Sequence, residues 1–214
     1  IITGLVGSEM CIRDRLEEAC AATLKRTSME LGGNAPFIVF DDADIDAAVQ
    51  GALISKYRNS GQTCVCTNRI FVQDSIHDVF VEKLVAATAE LKMGNGLDEG
   101  VQQGPLVNEK AVEDVDRLVR LSTDAGAQVA LGGARSDLGP CYYQPTVLTG
   151  VTSDMAVFRN EIFGPVAPVM SFADEAEAIA LANDTEFGLA SYFYSRDIGR
   201  VWLVSEALDY GMVG

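Results

Sequence analysis

Residues 35–73 read APFIVFDDADIDAAVQGALISKYRNSGQTCVCTNRIFVQ, and this stretch decides the fold. Its opening run, residues 35–41, is apolar and has no helical period, which is typical of a buried strand. Asp42 and Asp44 are suited to cap a helix that continues to Lys56 or Tyr57. A second strand is predicted over residues 69–73. The stretch therefore predicts one strand–helix–strand unit.

The same alternation continues along the rest of the chain. Further helices are predicted over residues 77–92, 109–125, 173–183 and 198–208, and further strands over 128–131, 144–151, 167–172 and 191–194. Repeated alternation favours an α/β fold with a mostly parallel sheet flanked by helices on both faces. A helix predicted over residues 16–29 ends near Gly32-Gly33, so we expect a domain boundary between residues 1–32 and 33–214.

Composition limits the classes of function. Of the 214 residues, 48% are hydrophobic and 22% charged, and the net charge of −15 argues against nucleic acid or an anionic membrane as partner. With five cysteines and one histidine, a Cys/His zinc site is poorly supplied, so we expect no metal and a reducing compartment. No run is long enough to span a membrane and no signal-peptide pattern occurs, so a cytoplasmic location is expected.

Two short runs carry the chemistry, Gly61-Gln62-Thr63-Cys64-Val65-Cys66 and, upstream, Glu30-Leu31-Gly32-Gly33. A cysteine among small and polar residues suits a nucleophile that a substrate can reach. A carboxylate beside two glycines suits a general base that can move. From the residues alone, Cys64 is equally well a small buried side chain, the usual fate of a free cysteine.

Four runs resemble, in order and separation, the signatures of the NAD(P)-dependent aldehyde dehydrogenase superfamily. They are residues 30–33 (ELGG), 61–64 (GQTC), 161–165 (EIFGP) and 183–190 (NDTEFGLA). The resemblance runs from residue 16 to the last residue. It implies a catalytic domain over residues 33–214, truncated at its C-terminus, and a remnant of a Rossmann-like cofactor domain over residues 1–32.

The resemblance also implies a role for each motif. Cys64 would attack a small aldehyde to form a thiohemiacetal and then a thioester, with its own N–H stabilising the oxyanion. Glu30 would activate the water that releases the acid. NAD or NADP would accept the hydride, held by Leu31, Gly32, Glu161 and Phe163, of which Glu161 would bind the ribose hydroxyls.

Residues 56–66 (KYRNSGQTCVC) resemble the members that oxidise succinate semialdehyde. That likeness implies that Arg58 binds the substrate carboxylate and that Cys66 forms a reversible disulfide with Cys64. From the residues alone, Arg58 is equally well a solvated charge at a helix end, and Cys66 is equally well a side chain that only packs in the core. Glutarate semialdehyde or other aldehydes remain alternative substrates. A non-catalytic thiol redox sensor also remains open, whereas a thiol hydrolase is disfavoured because His77 is the only histidine.

Both ends depart from the family pattern. Residues 8–15 (SEMCIRDR) look foreign, with Ile12 where the family has a second glycine, so we expect residues 1–15 to be non-native. The asparagine that completes the family's oxyanion hole and the lysine that contacts the adenosine ribose are missing, and relatives continue beyond Gly214. We therefore expect an internal fragment of a homo-oligomeric parent, inactive on its own.

Overall fold

The computed structural model describes residues 6–214, with side chains from residue 13 onward. The helices are α1 (Val6–Ala21), α2 (Ile45–Tyr57), α3 (His77–Ala89), α4 (Glu109–Asp124), α5 (Ala156–Arg159), α6 (Glu175–Asn183) and α7 (Ile198–Ala207). The strands are β1 (Ala35–Val39), β2 (Thr67–Gln73), β3 (Gln128–Leu131), β4 (Thr146–Thr149), β5 (Val166–Phe172), β6 (Ala190–Tyr194) and β7 (Met212–Val213). The chain divides into two compact units, one ending at Gly32 and the other beginning at Gly33.

β1 is buried on both faces, which explains why its sequence is continuously apolar. Phe37 and Val39 pack with residues of α2 and α3 on one face. Ile38 and Phe40 pack with residues of α4 to α7 on the other. Side chains alternate between the faces of a strand, so a single run of apolar residues joins two hydrophobic cores.

The sheet has seven strands in the order β3-β4-β5-β2-β1-β6-β7. Neighbouring strands pair parallel except β3 and β4, which pair antiparallel. The predicted α/β fold with a mostly parallel, helix-flanked sheet is confirmed, and from residue 33 onward the ends of the predicted elements differ from the observed ones by three residues or fewer. Sequence reasoning missed α5 and β7, which are too short to show a period.

The predicted helix over residues 16–29 is wrong at its end, because α1 stops at Ala21. Leu24 adopts a left-handed conformation with φ of 51°, which no α-helix continues through. Thr23, Thr27 and Ser28 also have modest helix propensity. The stretch predicted to be non-native, residues 1–15, begins outside the described residues. Within residues 6–214, no helix has the length and apolar character needed to cross a bilayer.

Candidate active site

The chain reverses sharply between α2 and β2, at the turn that carries both cysteines. Asn59, Ser60 and Gly61 adopt left-handed conformations in succession, with φ of 52°, 56° and 78°. Glycine tolerates this region freely, but Asn59 and Ser60 each store about 1 kcal/mol or more of strain there. Strained backbone of this kind persists only where surrounding contacts hold it, and it concentrates at functional sites.

Gln62 supplies much of that support. Its Nε2 donates to the carbonyl oxygen of Asn59 at 3.0 Å, and its Oε1 accepts from the N–H of Val107 at 2.8 Å. The Ser60 hydroxyl donates to the carbonyl oxygen of Gly104 at 3.1 Å. These bonds tether the turn to segment 104–107, so the glutamine of the motif positions the loop.

Cys64 is half-buried in this turn, and its sulfur is not in a disulfide. Its carbonyl group packs directly on the backbone of Gly33. A Cβ at position 33 would lie 3.0 Å from the carbonyl carbon of Cys64 and closer still to its oxygen, inside ordinary contact distance. Within the described part of the chain, no acceptor takes the backbone N–H of Cys64, the predicted oxyanion donor.

Glu161 and Phe163 lie on the segment between α5 and β5. Glu161 Oε1 accepts the N–H of Gly33 at 3.0 Å, so this carboxylate is joined to the same glycine that contacts Cys64. Phe163 has a left-handed φ of 51° and a 42% exposed side chain, an unusual pairing for a large apolar residue. An anchored carboxylate beside an exposed ring fits the ribose and ring of a nicotinamide nucleotide.

A buried pair of asparagines, Asn34 and Asn68, holds the segment that carries Glu161. Sequence reasoning did not identify this pair. Asn68 Nδ2 donates to Asn34 Oδ1 at 2.6 Å and to the carbonyl oxygen of Asn160 at 2.8 Å. Asn68 Oδ1 accepts the N–H of Ile162 at 3.2 Å. The amides therefore hold the residues on both sides of Glu161 against the starts of β1 and β2.

Arg69, at the start of β2, is fully buried among neutral oxygens. Its guanidinium donates to the carbonyl oxygen of Asn34 at 2.9 and 3.1 Å, to that of Leu181 at 3.0 Å and to Tyr210 Oη at 2.8 Å. Burial lowers the pKa of this guanidinium. Arg69 thus joins the glycine segment at residues 33–34 to α6, which leads into the fourth motif.

Arg58 begins the cysteine turn, and Tyr192 contacts it. Arg58 is exposed, and among the described residues its guanidinium makes no hydrogen bond or ion pair. The Tyr192 hydroxyl, from β6, donates to the carbonyl oxygen of Val65 at 2.8 Å. Burial raises the pKa of Tyr192, and the charges of Cys66 and Cys64 also raise it while Arg58 lowers it. Tyr192, which the sequence gave no reason to select, is therefore adjacent to the predicted nucleophile.

The structure brings together most of the predicted site residues in the second unit. Arg58, Cys64 and Cys66 share one turn, and Gly33 links that turn to Glu161. In the first unit, Glu30 is exposed and Leu31 and Gly32 are half-buried in irregular backbone. Their roles as general base and cofactor ligands stay predictions.

A cleft of about 520 Å³ lies at the fourth motif, lined by Arg159, Asn183, Asp184, Thr185 and Glu186. Arg159 and Asp184 form a bidentate ion pair across it, with both N–O distances 2.8 Å. None of the predicted site residues lines this cleft. Thr185 reaches the asparagine pair, since its hydroxyl accepts from Asn34 Nδ2 at 3.3 Å.

Residues 3–214 match the model of the aldehyde dehydrogenase family. Glutarate-semialdehyde dehydrogenase of Pseudomonas aeruginosa is 58% identical over 200 residues, which are 94% of this chain and 41% of that protein. The 3-sulfolactaldehyde dehydrogenase of Pseudomonas putida is 60% identical over 91% of this chain and 40% of its own length. The NADP(+) succinate-semialdehyde dehydrogenase GabD of Escherichia coli is 56% identical over 94% and 42%.

Solved structures are similar in fold as well as sequence. The succinate-semialdehyde dehydrogenase from Burkholderia pseudomallei superposes with a TM-score of 0.91 at 57% identity, over 95% of this chain and 42% of that one. The betaine aldehyde dehydrogenase of Staphylococcus aureus, in complex with NAD+, gives a TM-score of 0.86 at 36% identity, over 94% and 41%. The chain thus spans about two fifths of the length of these relatives.

Proposed function

The chain belongs to the aldehyde dehydrogenase family, and we propose that it carries the nucleophile of an enzyme that oxidises a small anionic aldehyde to its acid. The observation that carries this proposal is the shared contact of Gly33 with both Cys64 and Glu161. Gly33 meets the carbonyl group of Cys64 and donates its N–H to the side-chain Oε1 of Glu161, the carboxylate that we assign to the cofactor ribose, which supports a common site for the two residues.

Cys64 acts first, as a thiolate that adds to the aldehyde carbon and forms the C–S bond of a thiohemiacetal. The carbonyl oxygen takes the negative charge, and the N–H of Cys64 donates to it. NAD or NADP, when bound, supplies the acceptor for the hydride that leaves this carbon. Cys64 is then a thioester, and Glu30 takes a proton from the water that adds to it. Breaking the C–S bond releases the acid and restores the sulfur.

Glu161 and Phe163 are the residues of the second unit that would hold the cofactor. A carboxylate has several lone pairs, so Glu161 can accept from a ribose hydroxyl while Oε1 accepts from Gly33. The exposed Phe163 ring offers an apolar face for the nicotinamide ribose. Leu31 and Gly32 remain proposed cofactor contacts.

Arg58 is the residue that we assign to substrate choice. An exposed guanidinium six residues before the nucleophile suits a bidentate bond with a carboxylate. Succinate semialdehyde, glutarate semialdehyde and 3-sulfolactaldehyde, the substrates in the relatives' names, all carry an anionic group. We propose succinate semialdehyde as substrate, with glutarate semialdehyde as the alternative that differs by one methylene.

An activated ester tests the nucleophile without cofactor, because acylation of a thiol needs no hydride transfer. With 4-nitrophenyl acetate we expect a burst of nitrophenolate equal to the protein concentration. Cys64→Ala should abolish it, whereas Cys141→Ala, which changes another half-buried free cysteine, should leave it intact. Glu30→Gln should keep the burst and slow the steady state that follows, by about 100-fold if the base is lost. A full burst from Cys64→Ala would refute the assignment.

The substrate proposal is tested by a pair of esters that differ in charge. We expect mono-4-nitrophenyl succinate to acylate Cys64 faster than 4-nitrophenyl butyrate. Arg58→Ala should remove about tenfold or more of that preference, the value of one charge-assisted pair. A preference unchanged in Arg58→Ala would contradict the role of Arg58 while leaving the role of Cys64 standing.

A further inference from the structure

Tyr192 is a half-buried tyrosine that the mechanism above does not use. It lies in the middle of β6 and pairs in register with Phe37 of β1, with the two ring centroids 6.4 Å apart. Its hydroxyl donates to the carbonyl oxygen of Val65 at 2.8 Å, across 127 positions of sequence. Burial raises the pKa of Tyr192, so the phenol keeps its proton at pH 7 and remains a donor.

The peptide group that accepts this bond is also held at its other end. The carbonyl of Val65 and the N–H of Cys66 belong to one peptide group, and that N–H donates to the carbonyl oxygen of Thr63 at 3.1 Å. The bond closes a four-residue turn with Cys64 and Val65 at its central positions. Because the C=O and N–H of a trans peptide point in opposite directions, the tyrosine hydroxyl and the Thr63 carbonyl lie at opposite ends of that peptide.

The peptide group between Thr63 and Cys64 completes the series. Its carbonyl accepts from Cys66, and its N–H is the predicted oxyanion donor, for which the described part of the chain supplies no acceptor. The tyrosine hydroxyl and two peptide groups thus form one line, in which each member donates to the carbonyl of the next. Hydrogen bonds in such a chain polarise one another, so a donor at the first carbonyl strengthens the N–H at the far end.

We propose that Tyr192 is a positioning residue for the acylation step, because its hydroxyl orients and polarises, through two peptide groups, the N–H of Cys64 that stabilises the oxyanion. The inference rests on the proposed function, since it needs Cys64 to add to a carbonyl. With an ester, the thiolate forms a bond to the carbonyl carbon and the oxygen takes the negative charge. The charge then leaves with the nitrophenolate as the C–O bond breaks.

Two reagents separate this role from a general loss of structure. An ester forms an oxyanion when it reacts with Cys64, whereas iodoacetamide forms none, because its S–C bond forms as iodide leaves. Tyr192→Phe removes the hydroxyl and keeps the ring. We expect it to slow the 4-nitrophenyl acetate burst of the full chain about tenfold, the order of one net hydrogen bond. Loss of an oxyanion donor itself costs about 100-fold or more. The alkylation rate of Cys64, measured by mass spectrometry, should be unchanged.

Tyr194→Phe is the matched control. Tyr194 lies two residues further along β6, and its ring centroid is 5.2 Å from that of Phe37. Its hydroxyl lies against Gly51 of α2, so removing it should change neither rate. An unchanged burst in Tyr192→Phe would overturn the proposal. So would a burst and an alkylation rate that fall by the same factor, since the hydroxyl would then only support the sulfur or the fold.

Replacement of Tyr192 by 3-fluorotyrosine tests the same bond in the opposite direction and protects the test from a folding failure. The fluorinated phenol is a stronger donor, so while it is protonated the burst should be faster and the alkylation rate unchanged. A burst no faster than that of the native chain would contradict the proposal. A burst that survives Cys64→Ala refutes the proposed function and this inference with it. A burst that needs Cys64 but ignores the hydroxyl refutes the role of Tyr192 alone.

Discussion

Substitution of Gly33 by alanine probes the contact that links the backbone of Cys64 to the Glu161 carboxylate. The added Cβ would lie 3.0 Å from the carbonyl carbon of Cys64 and nearer to its oxygen, whereas ordinary contacts begin at 3.4 Å. Both neighbours are backbone atoms, so one chain segment must move by roughly 1 Å. Overpacking of this kind costs about 1–3 kcal/mol of stability. A displacement of about 1 Å at a reacting group costs about 100-fold in rate.

The ester burst measures this effect. We expect Gly33→Ala to acylate Cys64 about 100-fold more slowly than the unmodified chain. Gly96→Ala is the control, since a Cβ there meets nothing within 4 Å, and its burst should be unchanged. Circular dichroism and a thermal melt establish that both variants are folded. A folded Gly33→Ala whose burst rate matches that of the control would refute the argument that Gly33 positions the nucleophile.

Three further outcomes are expected. Arg69→Met leaves buried carbonyl oxygens without their donor, so the free energy of unfolding in urea should fall by about 3 kcal/mol; a loss below about 1 kcal/mol would contradict this. Partial burial raises the pKa of Asp42, but backbone N–H groups and the Ser195 hydroxyl outweigh it and lower that pKa. Asp42→Asn should therefore cost about 1 kcal/mol at pH 7, a difference that begins to shrink near pH 4, about the pKa of an unfolded aspartate, and is lost only below the lowered pKa of folded Asp42. Hydrogen peroxide should convert Cys64 to a sulfenic acid that Cys66 captures as a disulfide, with loss of water at each step, and dithiothreitol then restores the burst. In Cys66→Ala the sulfenic acid is not captured, so excess peroxide should carry it to a sulfinic acid that dithiothreitol does not reduce; an equally complete recovery of that variant after excess peroxide would contradict the disulfide.

The order of secondary structure could be predicted because local patterns determine it. The run over residues 35–41 has the apolar continuity of a strand buried on both faces, and Asp44 caps α2 by accepting from the N–H of Ala47 at 3.1 Å. The end of α1 could not be predicted, because the left-handed conformation of Leu24 is not a preference of leucine.

The motifs predicted Cys64 as the nucleophile but gave no sign of the residues that hold the surrounding segments. Asn34 and Asn68 bond across 34 positions of sequence, and nothing in either residue's local pattern indicates a buried amide pair. A lysine in the last turn of a helix, such as Lys56, is expected to be exposed to solvent, yet Lys56 is buried. The general rule that ligands bind at the carboxyl ends of parallel strands would also predict the wrong edge of the sheet for this candidate site. Here Gly33, Cys64 and Glu161 all precede the amino ends of β1, β2 and β5.

The strand order has a consequence for how the chain acquires its structure during synthesis. β1 and β2 are made early, but each must pair with a strand made much later, β6 in one case and β5 in the other. Pairing across such separations is slow, because the loop must close before the contacts form. Until residues 166–194 emerge, the apolar faces of both central strands lack their final neighbours and are prone to aggregate. We therefore expect a ribosome-bound chain that ends before β5 to depend on a chaperone, although it already contains Cys64 and the turn around it.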